Sequence, residues 1–314
     1  MRAVVTGAAG FVGSHLCTYL LEHGNEVVGI DAMTDFYDVA HKEANLAALA
    51  AWDSFTFHRV DLLDAPLPQL LDGAELVFHL AGQPGVRPSW GREFAVYVRR
   101  NVLATQCLLE ALREVPVRKV VYSSSSSVYG DAESYPTVET VRPRPVSPYG
   151  VTKLAAEHLC ELYRTNFGIP TTSLRLFTVY GPGQRPDMAF SRLIEAALRG
   201  NPFPLFGDGN QTRDFTFVGD VVTALCAAAV SAWTGVANIG GGSRTSMAEV
   251  ISIVGLLVGR PVDTVRLPAQ AGDVRDTAAD IALARQAFGY APATPLAEGL
   301  AHMVKAQIAL MAQR

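Results

Sequence analysis

Three glycines, Gly7, Gly10 and Gly13, close a β-branched run in the order Val4-Val5-Thr6-Gly7-Ala8-Ala9-Gly10-Phe11-Val12-Gly13. A helical pattern from Phe11 to His23 follows. Strand, glycine turn and helix start together suit a pyrophosphate. Glycine permits the tight turn and the close approach of backbone N–H groups, and a helix N-terminus favours anions. The spacing is GxxGxxG rather than the commoner GxGxxG, and three glycines alone describe a plain turn as well. The next strand decides between the two. It ends in Asp31, near the ~20-residue spacing of a ribose-binding carboxylate. A carboxylate there repels a 2′-phosphate, so NAD is expected rather than NADP. Gly7, Gly10, Phe11, Val12, Gly13 and Asp31 are the expected contacts. Asp61 and Leu62, after the third strand, are expected to flank the adenine. Leu80, Ala81 and Gly82, after the fourth, offer small residues where the cofactor passes, although either set alone would be an ordinary strand end.

Tyr149 and Lys153 stand four apart at the start of a second helical pattern, hence on one face. Such pairs are usually surface residues. Upstream, however, Tyr122-Ser-Ser-Ser-Ser-Ser-Val-Tyr-Gly130 places hydroxyls directly after a strand of the same sheet. A phenol has a reference pKa near ~10. A neighbouring ammonium and a cationic nicotinamide would both stabilise the phenolate, which makes Tyr149 usable as a base near neutral pH. A serine hydroxyl would share the proton.

The elements that must position these groups alternate through the first half. Strands are expected at Arg2–Thr6, Glu26–Ile30, Phe55–Val60, Leu76–Leu80, Lys119–Tyr122 and Thr171–Leu176, with long helices at Phe94–Glu114 and Pro148–Phe167. Buried Val, Ile and Leu runs separated by helices predict an α/β fold of Rossmann type, a doubly wound parallel sheet with helices on both faces. After Tyr180 loop signals multiply at Gly181-Pro182-Gly183, Asn201-Pro202 and Gly207-Asp208-Gly209. Residues 1–180 are thus read as the dinucleotide-binding domain that carries the Ser, Tyr and Lys. Residues 181–314 are read as a smaller C-terminal α/β substrate-binding subdomain, with the chain crossing between the two more than once.

Composition narrows the classes. A chain of 314 residues with 49% apolar and 18% charged residues is ordinary globular material, not a disordered segment. A net charge of −4 gives no reason to expect nucleic acid. No stretch reaches the ~18 apolar residues of a membrane span, so no membrane partner is expected. Strand-like Arg2–Thr6 runs straight into glycines, which is not the pattern of a signal peptide. Cys17, Cys107, Cys160 and Cys226 form no CxxC pair and suggest neither a metal site nor a disulfide framework. Reduced core thiols fit a cytoplasmic protein.

With these residues in hand, the sequence resembles the extended short-chain dehydrogenase/reductases, the family of nucleotide-sugar epimerases, dehydratases and decarboxylases. The resemblance rests on Gly7, Gly10 and Gly13, the serine-rich loop, Tyr149 with Lys153, and Arg213-Asp-Phe-Thr-Phe-Val218 with Asp220 shortly after. It implies NAD as cofactor, Tyr149 as base at the sugar 4-hydroxyl and Ser125 as its hydroxyl partner. Lys153 is implied as the group that lowers the tyrosine pKa and binds the ribose. Ser124 and Ser126 stay open for the Ser125 role. Three stretches resemble UDP-glucuronate 4-epimerases in particular: Asp31–Asp38, His79–Arg87 and Phe177–Met188. The departures are Gly82 and Pro84 where alanines are usual, and Gly183-Gln184 where Trp-Gly is usual. Arg185, in a loop after the sixth strand, would clamp a C6 carboxylate bidentately, with Thr178 adding a hydroxyl. Arg87, Ser126 and Ser127 are implied to line the sugar. Arg213 and Arg275, with Arg192 as a weaker third, are implied for the diphosphate.

The implied reaction is epimerisation at C4 of UDP-glucuronate to UDP-galacturonate through a transient 4-keto intermediate. Rivals remain. Decarboxylases of the family resemble one another in a glutamate where this sequence has Ser127, and dehydratases carry an Asp-Glu pair where it has Ser126-Ser127. A UDP-glucose/galactose 4-epimerase needs no Arg185. A non-catalytic NAD-binding sensor shares the fold, but such proteins tend to lose the Tyr/Lys pair. The resemblance also implies a homodimer through the long helices.

Overall fold

The computed structural model describes residues 1–268, 270 and 272–312. Its first half is built from strands β1 (Arg2–Thr6), β2 (Glu26–Asp31), β3 (Phe55–Arg59), β4 (Leu76–His79), β5 (Lys119–Ser125) and β6 (Thr171–Leu176). Between them run helices α1 (Phe11–Glu22), α2 (Val39–Leu49), α3 (Leu67–Leu71), α4 (Phe94–Tyr97), α5 (Ala104–Glu114) and α6 (Pro148–Phe167). The second half adds β7 (Val179–Tyr180), α7 (Ala189–Arg199), β8 (Phe203–Phe206), β9 (Thr212–Asp214), β10 (Thr216–Phe217) and α8 (Val218–Val230). It continues through β11 (Gly235–Ile239), β12 (Arg244–Ser246), α9 (Met247–Val258), β13 (Thr264–Leu267), α10 (Ala282–Phe288) and α11 (Leu296–Ala312).

Seven strands form one sheet in the order β11-β6-β5-β4-β1-β2-β3, and every pairing in it is parallel. Side chains alternate across a strand, so β1 sends Ala3 and Val5 to one face and Val4 to the other. The first face is covered by α1 (Leu16, Cys17, Leu20) and α8 (Val221, Val222, Leu225). The opposite face is covered by α5 (Leu108, Leu109, Leu112) and α6 (Ala156, Cys160, Tyr163). Burial on both faces explains why the strands read as continuous apolar runs. The Rossmann-type sheet anticipated from the alternation of elements is the observed one.

A third core gathers Phe190, Leu193, Phe203, Phe215, Val250, Val254, Leu300 and Met303 from the second half. Around it lie three two-stranded pairs, β10-β7, β12-β9 and β13-β8. The chain re-enters the main sheet at β11, which pairs with β6. Two details depart from the sequence reading. Strand β5 continues three residues further, through Ser123 to Ser125. The helix expected at Phe94–Glu114 is interrupted by a wide π turn at Val98–Leu103. The buried Asn101 lies inside that turn, and its side chain is fully engaged outside the helix, with Gln83 and Thr152. A π turn is a common way to place such a group.

The junction of β1 and α1 tolerates no side chain. A Cβ at Gly13 would lie 2.1 Å from the Gly7 carbonyl oxygen. Gly13→Ala is therefore expected to push α1 off β1 and lower stability by about 1–3 kcal/mol, the usual scale for overpacking. Thermal melts followed by circular dichroism would read this as a fall in Tm. An unchanged Tm would show that the helix moves aside freely.

Candidate active site

A crevice of about 500 Å³ opens along the carboxyl ends of the parallel strands. It lies where the strand order reverses: from β1 the chain adds β2 and β3 toward one edge of the sheet, and from β4 it adds β5 and β6 toward the other. Such a switch point is where open α/β sheets hold ligands. All the anticipated dinucleotide residues line it: Gly7, Gly10, Phe11, Val12, Gly13, Asp31, Asp61, Leu62, Leu80, Ala81 and Gly82. Gly7 has φ +74°, and a Cβ there would meet the Ala81 backbone nitrogen at 2.8 Å, so the turn is packed against the β4 exit. Asp31 is buried at the end of β2. Its carboxylate accepts hydrogen bonds from Ala9 N at 3.3 Å and Met33 N at 2.7 Å. Lys42 of α2, itself buried, reaches the same carboxylate at 3.3 Å. The glycine cradle, with a fixed carboxylate at its rim, fits a dinucleotide.

The hydroxyl groups meet this crevice at its centre. Ser147 caps α6 by accepting from Gly150 N at 3.1 Å, so Tyr149 and Lys153 occupy the first turns, on one face. Ser125, Tyr149 and Lys153 all line the crevice, as do Ser126 and Ser127. Burial pushes the Tyr149 phenol up, while hydrogen bonding with Ser125 and the charge of Arg185 pull it down. Burial lowers Lys153 to about 8, and its Nζ sits 4.5 Å from the centre of the Tyr122 ring. Lys153, expected from the sequence to lower the Tyr149 phenol, lines the same crevice one turn further along α6. Ser124 is set apart from its neighbours: its hydroxyl donates to the buried Glu157 carboxylate at 2.7 Å. Ser125 instead accepts from Ser127 N at 3.1 Å, keeping its hydroxyl proton free for Tyr149.

Thr178 and Arg185 line the same crevice beyond β6. Both Arg185 and Asp187 lie in the loop before α7. Arg185 donates from Nε and Nη2 to the two oxygens of Asp187, each at 2.9 Å, and its guanidinium lies 5.6 Å from the Phe36 ring centre. The loop is tied back to the dinucleotide side by His15 of α1, whose Nε2 donates to the Pro182 carbonyl at 2.8 Å. Of the other anticipated arginines, Arg87, Arg192, Arg213 and Arg275, none is part of the crevice lining. Arg87 pairs with Asp273 at 2.7 Å, and Arg213 donates to the carbonyls of Val274 and Arg275. Arg275 reaches Asp208 at 3.5 Å. Arg87, Arg213 and Arg275 are thus brought together around residues 273–275, and Arg192 is exposed on α7.

Several residues escaped the sequence reading. Lys42 carried no motif. Asn101 accepts from Gln83 N at 2.6 Å and donates to Thr152 Oγ1 at 3.0 Å, stiffening the wall below Tyr149. Tyr97 packs edge-on to Tyr149, ring centres 6.2 Å apart, and donates to the Pro84 and Gly85 carbonyls. One signal was available: Glu157 lies four residues past Lys153, on the same helical face. Among the described residues no group of three or more His, Cys, Asp or Glu side chains is placed to hold a metal ion, and no helix is long and apolar enough to cross a membrane.

The model of the NAD dependent epimerase/dehydratase family matches residues 3–240. The chain is 45% identical over 307 residues to the uncharacterized UDP-glucose epimerase YtcB of Bacillus subtilis, covering 97% of each chain. It is 35% identical over 306 residues to the UDP-glucuronate 4-epimerase of Thermodesulfobacterium geofontis, covering 96% of this chain and 94% of that one. Its structure superposes with a TM-score of 0.96 on the UDP-glucuronic acid 4-epimerase from Bacillus cereus in complex with UDP-glucuronic acid and NAD, at 43% identity and over 99% and 100% of the two chains.

The Asp31–Lys42 pair carries a prediction about the dinucleotide. Asp31→Ala removes a charged acceptor and leaves Lys42 without its partner. NAD binding is expected to weaken by about 1.5–3 kcal/mol, on the order of 10–150-fold. NADP should lose less, since the freed ammonium attracts its 2′-phosphate. Fluorescence titration of cofactor-stripped protein with both dinucleotides measures this. Equal losses would remove Asp31 from cofactor choice.

Proposed function

We propose that this chain, which belongs to the NAD dependent epimerase/dehydratase family, interconverts UDP-glucuronate and UDP-galacturonate by inverting C4 through a 4-keto intermediate. The observation that carries this reading is the position of Arg185. It lines the crevice that holds Ser125, Tyr149 and Lys153, and its charge acts on the Tyr149 phenol. A guanidinium that close to the base would meet a carboxylate on the sugar undergoing reaction. NAD would lie over Gly7, Gly10 and Gly13 with its ribose on Asp31, and when bound it supplies the acceptor for the C4 hydrogen and gives it back. Tyr149 takes the proton of the 4-hydroxyl and Ser125 shares it. Lys153, one turn along α6, holds positive charge beside the phenolate as it develops. Arg185 and Thr178 hold the sugar carboxylate near the carbonyl plane of the keto intermediate. This denies the overlap that decarboxylation needs, and it gives the ring a pivot. Ser127, lining the same crevice, offers no carboxyl group for decarboxylase or dehydratase chemistry.

We assign residues 1–180 mainly to the dinucleotide and residues 181–314 mainly to the UDP-sugar, with Arg213 and Arg275 on the diphosphate and Arg87 beside them. Arg192, exposed on α7, is the weakest of these assignments. We further propose a homodimer through α5 and α6, where Leu162 and Phe167 are exposed at 53% and 50%. A cytoplasmic setting agrees with four free cysteines.

The test is turnover of UDP-glucuronate run to partial conversion, with products identified by NMR. UDP-galacturonate is expected as the main product, and mainly UDP-pentose would replace the reading by decarboxylation. Arg185→Ala is expected to cost UDP-glucuronate about 2–3 kcal/mol, ~30–150-fold in kcat/KM, and to spare UDP-glucose. Equal losses on both sugars would make Arg185 structural.

Tyr149→Phe keeps the ring and its edge contact with Tyr97, so the fold should survive. Its kcat is expected to fall by at least ~10²-fold, the scale of losing a general base, with little change in substrate Kd. Near-normal kcat would take Tyr149 out of the mechanism.

A further inference from the structure

Arg185 can select a carboxylate only as well as its loop, residues 181–188, holds it. A loop that orders itself when the sugar arrives loses part of the contact to that ordering. This loop is held from within. Gln184, next to Arg185 in the chain, is 7% exposed and is not part of the crevice lining. Its side-chain amide bridges the two elements that flank the loop. Nε2 donates to the Val179 carbonyl of β7 at 3.0 Å, and Oε1 accepts from the Ser191 N–H of α7 at 3.2 Å. Only this orientation of the amide serves both, since the reverse would set donor against donor and acceptor against acceptor. The Ser191 hydroxyl lies 3.0 Å from the Gln184 backbone oxygen and 3.2 Å from Oε1, and gives its proton to one or the other.

The bridge answers a need of α7. The first N–H groups of a helix lack partners within it. Met188 stands at the N-cap of α7 and makes no side-chain cap, and Ser191 is the third residue of the helix. Gln184 supplies the acceptor from inside the loop, so the cap of α7 and the closure of the loop are one contact. Backbone bonds from Gln184 N to the Gly181 carbonyl and from Met188 N to the Arg185 carbonyl, each at 3.1 Å, fold the loop into two consecutive turns, and Arg185 opens the second. The first turn is fixed from outside. A Cβ at Gly181 would meet Val218 Cγ1 of α8 at 2.4 Å, and His15 of α1 donates to the Pro182 carbonyl at 2.8 Å.

We infer that Gln184 is a specificity-determining positioning residue: by clipping β7 to α7 it holds the Arg185 guanidinium where a carboxylate on the bound sugar meets it, with His15 as the second pin. The inference rests on the proposed role of Arg185 and deepens it. Preference for a uronic acid over a neutral hexose then depends on a side chain that lines no part of the crevice. A residue that served only as a helix cap would affect both sugars alike.

The test is binding of UDP-glucuronate and of UDP-glucose to NAD-loaded protein, followed by calorimetry, with Tyr149→Phe as the common background so that the sugar persists unconverted. Gln184→Met keeps the length of the side chain and makes neither hydrogen bond. It should weaken UDP-glucuronate by about 3–10-fold, the scale of one net hydrogen bond, and leave UDP-glucose nearly as before. With Arg185→Ala also present, the same substitution should cost UDP-glucuronate nothing further, because residues that act through one another are not additive. Equal weakening of the two sugars, or the same loss with and without Arg185, would make Gln184 a structural cap and overturn the inference. An undiminished preference for UDP-glucuronate in folded Gln184→Met would overturn it too. If that variant does not fold, His15→Phe, which keeps a ring and loses the donor to Pro182, takes its place and is read in the same way. Should Arg185→Ala alone leave the preference for UDP-glucuronate intact, the role of Arg185 itself fails and the inference with it, a result seen without any change at Gln184.

Discussion

All seven strands of the main sheet run the same way, so their carboxyl ends open on one edge, and the rest of the molecule depends on that parallelism. At β1 and β4 the order reverses, and the helices that follow diverge to opposite faces. The gap between them cannot be closed by side chains from either layer. Into it project the glycine turn after β1, Asp31 at the end of β2, Ala81 after β4, Ser125 at the end of β5 and Thr178 beyond β6. Two apolar cores, one on each face, hold the edge in register. Site geometry and sheet topology are therefore one constraint, and it is already met by the packing before any ligand is considered.

What packing does not settle, buried polar pairs do. Asp31 with Lys42, Glu157 with Arg175, and Asn101 with Gln83 and Thr152 each fix a group that lines or underlies the crevice. A buried ion pair is weak evidence for stability, since an apolar pair of similar volume often does as well. Its geometry, however, is narrow: a bidentate guanidinium–carboxylate contact holds one arrangement and no other. Such pairs collect here at the crevice, where a shift of a fraction of an ångström matters, whereas the third core is assembled mainly from Phe, Leu, Val and Met.

The sequence was informative wherever one local pattern had one physical meaning. Continuous apolar runs between helical patterns predicted the parallel sheet, and the glycines with Asp31 marked its ligand edge. Tyr149 and Lys153 were legible because a helix start with a capping serine places them on one face. The π turn at Val98–Leu103 was not legible, because its cause, Asn101 bonded to Gln83, is a tertiary contact between residues that look unremarkable in line. Lys42 escaped for the same reason. Ser124 and Ser125 could not be told apart in a run of five serines. The strand's alternation separates them, sending one hydroxyl to Glu157 and leaving the other for Tyr149. Arg87, Arg213 and Arg275 were named individually, but their gathering around residues 273–275 depends on how the second half returns to the first.

Arg185 carries such a built-in partner, with consequences for the selectivity proposed above. Its guanidinium is 17% exposed and already paired on two nitrogens with Asp187, which is itself 43% exposed. A bare guanidinium in that wall would penalise a neutral sugar heavily, because a buried charge would stay unanswered. With Asp187 in place, a neutral sugar leaves nothing unpaired. On the proposed function, a sugar carboxylate therefore does not neutralise an orphan charge. It either shares the guanidinium with Asp187 or displaces it toward solvent, which its exposure permits. Shared, the guanidinium gives the sugar close to a full charge-assisted contact; displacing Asp187 gives less. Discrimination between a uronic acid and a neutral hexose is then set by how well the sugar positions its carboxylate relative to Asp187, and Thr178 is the neighbour that can tilt that comparison. The same arrangement leaves Tyr149 under a positive charge that persists whether or not the sugar carries a carboxylate.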